Sequence, residues 1–169
     1  ARVAITGRNE ETLQAAAKEI GEGTLAIPSD AGKVADIEAA MKQIKERFGR
    51  IDAMFVNAGV AKLMPFEEIT EDVFDETVNI NMKGVFFTVQ KAIPLMPKGS
   101  AIVLNGSINA HVGMAATSVY GATKAAVVNM AKTLSGDLLE RGIRVNVISP
   151  GPIRSALLLD IPQEKLQGT

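Results

Sequence analysis

Five short apolar runs separated by stretches of helical spacing restrict this chain more than any other feature of its sequence. Residues 2–6 form the first run. Glu10–Ile20 follows with Leu13, Ala16, Ala17 and Ile20 on one helical face and Gly21 as a stop. Residues 24–28 read as the second strand. Ile37, Met41, Ile44 and Phe48 then recur at helical spacing ahead of Gly49, and residues 51–56 predict a strand buried on both faces. Residues 70–93 predict one long helix carrying Val73, Phe74, Val78, Val85, Phe86 and Val89, stopped near Pro94 and Pro97. Ala101–Asn105 is the fourth strand, residues 118–139 a helix, and residues 143–148 the last strand, closed by Ser149-Pro150-Gly151.

Strands separated by helices need crossover connections, which are right-handed in a parallel sheet. The fold class is therefore α/β, a three-layer doubly wound parallel sheet. No repeat, low-complexity tract or linker divides the chain, so residues 1–169 form one domain. Its 18 basic groups nearly balance its 19 acidic ones, and 47% of its residues are apolar. Those figures argue against disorder and against nucleic acid or membrane as a partner. Absence of cysteine removes disulfides and thiolate metal sites, and no metal site is assigned. It fits a reducing compartment, with the cytoplasm as the expected location. No apolar stretch reaches the roughly 18 residues of a membrane span.

Ligands of such sheets bind beyond the carboxyl ends of the strands, so residues just after strands are the candidates for chemistry. Asn57-Ala58-Gly59 follows the third strand and Ser107 the fourth. On the next helix comes Tyr120, the only tyrosine of the chain, with Lys124 one turn further on the same face. Taken singly, the first two are ordinary turn chemistry and the last two a solvated surface pair. Together they carry a reaction. A free phenol titrates near about 10, and a fixed positive charge beside it favours the phenolate. Such a pair can exchange a proton with an alcohol or ketone oxygen, which the Ser107 hydroxyl would hold.

The conjunction resembles the short-chain dehydrogenase/reductase family. Asn57-Ala58-Gly59, Asn81 in Asn81-Met82-Lys83-Gly84, Ser107, Tyr120-Gly121-Ala122-Thr123-Lys124 and Pro150-Gly151-Pro152-Ile153 occur in the family's order and at its spacing over essentially the whole chain. The resemblance implies a Rossmann-like sheet and an NAD(P)-dependent oxidoreductase that interconverts a carbonyl compound and a secondary alcohol. It implies that Tyr120 is the acid/base, that Lys124 assists it and holds the nicotinamide ribose, and that Ser107 orients the substrate oxygen. Asn81 resembles the helical asparagine that keeps a water in the proton relay. Asn57, Ala58 and Gly59 resemble the turn under the cofactor ribose, and Asp30 and Ala31 the pair that meets the adenine. Pro150, Gly151, Ile153 and Ser155 resemble the loop on the nicotinamide carboxamide. The alternative is a dinucleotide-binding protein or structural fragment that kept the fold without turnover.

Where such folds use an acidic residue against the adenosine 2′-hydroxyl, this chain reads Thr6-Gly7-Arg8-Asn9. A guanidinium at Arg8 can pair with a 2′-phosphate, which favours NADP and leaves NAD possible. The family's opening strand and glycine-rich turn, which cradles pyrophosphate, has no counterpart here, nor does its final strand. The sheet is thus expected to be incomplete at both ends, the chain to be part of a longer protein, and two strand edges to lack partners. His111 is expected to be a plain loop residue beside the substrate pocket, which Leu63, Met64, Val112 and Met114 would line. Apolar, small-residued faces around residues 85–92 and 125–134 resemble the family's dimer and tetramer contacts, so a homo-oligomer is expected.

Overall fold

A computed structural model of the chain describes residues 1–153; Ser155, expected in the nicotinamide loop, lies outside them. The strands are β1 (Ala4–Gly7), β2 (Leu25–Pro28), β3 (Ala53–Val56), β4 (Ala101–Asn105) and β5 (Arg144–Ile148). The helices are α1 (Glu10–Ile20), α2 (Val34–Phe48), α3 (Glu71–Val78), α4 (Val85–Ala92) and α5 (Ser118–Asp137). Every strand pairing is parallel, as α/β alternation requires. Helix α1 and strand β4 have the limits their sequences predict, and the other strands begin one or two residues later than expected.

Local chemistry explains the helix ends. Asn9 caps α1 by accepting the Thr12 amide at 3.0 Å, and Glu10 and Glu11 lie where the helix dipole favours anions. Gly49 ends α2 in the left-handed conformation at φ 77°, open to glycine without a Cβ penalty. Thr70 caps α3 by accepting the Val73 amide at 3.3 Å.

The single helix predicted over residues 70–93 is instead two helices joined by a wide π-turn over Asn79–Gly84. The apolar repeat runs through the turn, so hydrophobic spacing alone does not register it. A one-turn widening of this kind is frequent at functional sites, and here it holds Asn81. Gly84 ends the turn at a place where a Cβ would collide with the Ala31 carbonyl, which seats the helix directly on the loop after β2. Two short 3-10 turns, Phe66–Glu68 and Ile108–Ala110, are also absent from the sequence reading, being too brief to show a period.

The strands form two sheets rather than one, ordered β1-β2 and β3-β4-β5. β1 and β3 therefore each have one paired edge, and a cleft of about 720 Å³ lined by both lies between the sheets. The strand expected to be buried on both faces is not. Phe55 is 55% exposed, and of β3 only Val56 is buried. The reason is that β3 gains cover from β4 on one side and meets the cleft on the other. Asp52, just ahead of the strand, pairs with Arg50 through its side chain while its carbonyl accepts the Ala101 amide of β4 at 3.0 Å.

The main core lies on the three-stranded sheet. Ile102 and Leu104 of β4 are fully buried against Val89 and Ala92 of α4 and Val127 and Ala131 of α5. Burying a side chain of this kind contributes about 1.5–3 kcal/mol, so this cluster fixes the carboxyl ends of β3, β4 and β5 side by side. Ile27, Ala40 and Ile44 make a smaller core beneath β2, and Met41 packs against both. Among the described residues no helix is long and apolar enough to cross a membrane.

Candidate active site

Lys124 is the centre of the arrangement. It points inward from α5 and is only 4% exposed, and its Nζ donates to the Asn105 carbonyl at 2.7 Å at the end of β4. Burial disfavours the ammonium and pulls its pKa below the usual lysine value. Its Nζ lies 5.7 Å from the centre of the Tyr120 ring, one turn earlier. The expected pairing of Tyr120 with Lys124 is thus present in the geometry, and the lysine is a buried group rather than a solvated one.

Ser107 is buried at the head of the Ile108–Ala110 turn, where its Oγ accepts the Asn109 amide at 3.2 Å. The first turn of α5 rests on that same turn. A methyl group on Gly121 would sit 3.1 Å from the Asn109 carbonyl oxygen, so glycine beside Tyr120 lets the helix approach the Ser107 segment closely. The segment is anchored below as well. Gly106 donates to the Ile148 carbonyl at 2.7 Å and Ile108 to the Pro150 carbonyl at 2.9 Å. The loops after β4 and β5 therefore move as one piece, which places Pro150 beside the Ser107 turn; Gly151 and Ile153 continue from it, both exposed.

Asn81 is fully buried on the π-turn. Its Oδ1 accepts the Val60 amide and its Nδ2 donates to the Val60 carbonyl, each at 2.8 Å, with a further contact from Nδ2 to Thr123 Oγ1 at 3.2 Å. The side chain is thus committed to holding the segment after Asn57-Ala58-Gly59. A Cβ on Gly59 would lie 3.3 Å from Asn81 Oδ1 and 3.5 Å from Lys124 Nζ, so three elements converge on that glycine. Asn57 meets the group from the other side, its Oδ1 accepting from Asn105 Nδ2 at 2.7 Å. Ala58 is exposed on the same turn.

Asp30 and Ala31 sit after β2 in a loop closed by two carboxylates. Asp30 Oδ1 accepts the Gly32 amide at 2.9 Å, and Asp36 Oδ2 accepts the Asp30 amide at 3.0 Å. Arg8 stands apart. It is exposed, just ahead of the Asn9 cap, and makes no ion pair among the described residues.

Sequence reasoning passes over Asn105, Thr123 and Val60, the groups that hold Lys124 and Asn81. Three of these four contacts run to or from backbone atoms, for which side-chain identity gives no signal. His111 has more to it than a plain loop residue, since its Nε2 lies 3.0 Å from Ser149 Oγ and ties the two loops together once more. Met64 donates its amide to the Ala116 carbonyl at 2.9 Å, which joins two of the loops expected to border the pocket. Ala116 holds φ 61°, a left-handed conformation uncommon outside glycine, at that junction.

Comparisons with known proteins identify the family. A family model described as enoyl-(acyl carrier protein) reductase matches residues 1–168. Oxidoreductase asL5 of Sarocladium schorii is 37% identical over 92% of the chain, and carbonyl reductase family member 4 of Xenopus laevis is 34% identical over 98%. The chain spans 63% of the first protein's length and 70% of the second's. Among solved structures, 3-ketoacyl-(acyl-carrier-protein) reductase from Brucella melitensis complexed with NADH superposes with a TM-score of 0.89. It is 30% identical, over 94% of this chain and 68% of that one. A short chain dehydrogenase from Burkholderia cenocepacia J2315 in complex with NADP gives a TM-score of 0.85 at 32% identity, over 94% of this chain and 69% of that one. The chain belongs to the short-chain dehydrogenase/reductase family.

Proposed function

We propose that the protein to which this chain belongs is an NAD(P)-dependent oxidoreductase that interconverts a carbonyl compound and a secondary alcohol. The observation that carries this reading is the buried Lys124 ammonium set 5.7 Å from the Tyr120 ring, on a helix seated against the Ser107 turn. In the reducing direction Tyr120 gives its proton to the substrate oxygen while Ser107 holds that oxygen, and in the other direction the phenolate takes the proton back. The dinucleotide, when bound, supplies or accepts the hydride at the carbonyl carbon.

The residues fit the nicotinamide end of such a cofactor. Lys124 uses one N–H on Asn105 among the described residues, which leaves donors for ribose hydroxyls. Gly59 opens the space beside it that a Cβ would fill. Asn57 and Ala58 precede that glycine in sequence, and the resemblance assigns Pro150, Gly151, Ile153 and Ser155 to the carboxamide. Asp30 and Ala31 stand where the adenine would end. An exposed Arg8 that makes no ion pair among the described residues supports NADP over NAD. Asn81 acts here by fixing Val60 and, with it, the Gly59 turn.

The small molecule is a ketone or aldehyde, or the corresponding alcohol. Exposed Phe74, Met82 and Phe86 support a homo-oligomer built through the helices that carry them. The lack of cysteine supports a cytoplasmic setting.

Tyr120→Phe in the whole protein tests the reading. It should lower kcat for ketone reduction by about 10²–10⁴-fold, the range for a lost acid/base, while NADPH affinity stays close to the parent's. Undiminished turnover would remove Tyr120 from the reaction. Failure of the parent to reduce any of a panel of ketones with either nucleotide would favour a binding module over an enzyme.

A further inference from the structure

The side chain of Asn105 touches the Asn57 turn, and its own backbone holds Lys124. Its carbonyl accepts the lysine ammonium at 2.7 Å, and its Nδ2 donates to Asn57 Oδ1 at 2.7 Å. Its Oδ1 is shut off from solvent and has no hydrogen-bond partner among the described residues. A buried amide oxygen left bare costs about 1–3 kcal/mol, so an asparagine is an expensive choice on stability grounds alone. A threonine or leucine would end β4 without that cost. Residues that break a stability rule in this way are found where function requires them.

We propose that Asn105 is a positioning residue, which couples the Asn57 turn to the Tyr120 and Lys124 pair. The coupling follows a continuous path. The Asn57 side chain holds the Asn105 amide, the Asn105 backbone holds the Lys124 ammonium, and the ammonium faces the Tyr120 ring. Ladder pairing fixes Asn105 on one side only, opposite Ile148 of β5, because β3 ends at Val56. The Asn57 contact is what fixes the other side. Anything that rotates the Asn57 side chain therefore shifts the carbonyl under Lys124 and with it the charge that the phenol feels. A ribose seated on the Asn57 turn is such an agent, so cofactor occupancy and proton transfer are linked through Asn105. This inference rests on the reading of Tyr120 and Lys124 given above.

The phenolate absorbance of Tyr120 in the near ultraviolet tests it without turnover. The signal is isolated in the whole protein by subtracting the Tyr120→Phe variant, and in this chain there is no second tyrosine and no tryptophan to mask it. Removing either partner should let the ammonium drift, so Asn105→Leu and Asn57→Ala should each change the phenolate titration measured against the parent. The double variant should move it no further than one of them does, since both break one path. Dinucleotide affinity should fall by about tenfold in Asn105→Leu, equivalent to about 1.4 kcal/mol. A folded Asn105→Leu that titrates like the parent would overturn the proposal, and so would additive shifts in the double variant. Should Asn105→Leu not fold, Asn57→Ala alone decides, because it keeps Asn105 and deletes its partner. A parent that turns over no ketone would defeat the functional reading instead, and the titrations would still report on the coupling.

Discussion

The side-chain amide of Asn81 grips both backbone groups of Val60, 21 residues away in sequence, with one 2.8 Å hydrogen bond to the N–H and another to the carbonyl. That double contact joins the π-turn to the segment after β3 and makes Asn81 a fastener for the floor of the site.

Replacing Asn81 with leucine should therefore cost about 2–4 kcal/mol, because two backbone groups and Thr123 lose partners in a buried setting. The urea midpoint of the Asn81→Leu variant measures this. A loss under 1 kcal/mol, on the order of a surface substitution, would show that Val60 finds other partners.

Burial of Lys124 sets a pH dependence with a definite sign. Its folded pKa lies below the ordinary lysine value of 10.5, so between those two points the unfolded chain binds more protons than the folded one. Stability then rises with pH across that window, and the desolvation penalty is fully present below it. The parent should gain stability relative to Lys124→Met as pH climbs toward about 10.4. Paired urea titrations at neutral and alkaline pH measure the gain, and a difference that stays flat would contradict a buried ammonium.

Gly84 has no room for a side chain. Alanine there would drive a methyl group into the Ala31 carbonyl and push the π-turn off the loop after β2. Gly84→Ala should destabilise by about 1–3 kcal/mol, as overpacking against backbone does. Thermal unfolding reads it, and a melting temperature equal to the parent's would mean the two elements separate freely.

The proposed function has Arg8 set the nucleotide preference through an exposed charge. Arg8→Glu in the whole protein should weaken NADPH binding by about tenfold or more, or about 1.4 kcal/mol, with little change for NADH. Fluorescence titration with both nucleotides measures the ratio. Equal losses for the two would remove Arg8 from 2′-phosphate recognition.

Much of this was legible in the sequence, and what was not has physical causes. Glu10–Ile20 and Ala101–Asn105 could be bounded to the residue because a capping Asn9, a stopping Gly21 and a β-branched run mark their ends locally. Tyr120 and Lys124 could be paired because helical spacing fixes their separation. The π-turn at Asn79–Gly84 could not, since the apolar repeat continues through it and the widening answers to Val60 and Ala31, which are distant in sequence. Asn105 escaped notice for a similar reason. Its contact with Lys124 uses a carbonyl that every residue type possesses, and the Asn57 contact exists only once β3 and β4 lie side by side. The exposure of Phe55 was hidden too, because a local run of apolar residues says nothing about whether a neighbouring strand is present to cover it.

The division of the strands into β1-β2 and β3-β4-β5 bears on how the chain melts. Cooperativity in a sheet travels along its hydrogen-bond ladder, and here the ladder is interrupted. The two halves are joined by Met41 and Ile51, which pack against both cores, by the Lys91 and Glu38 ion pair at 2.7 Å, and by the seat of Gly84 on Ala31. Amide protons of β1 and β2 should consequently exchange through openings that leave β4 closed, so that the half bearing Arg8 loosens while the half bearing Tyr120 and Lys124 stays shut.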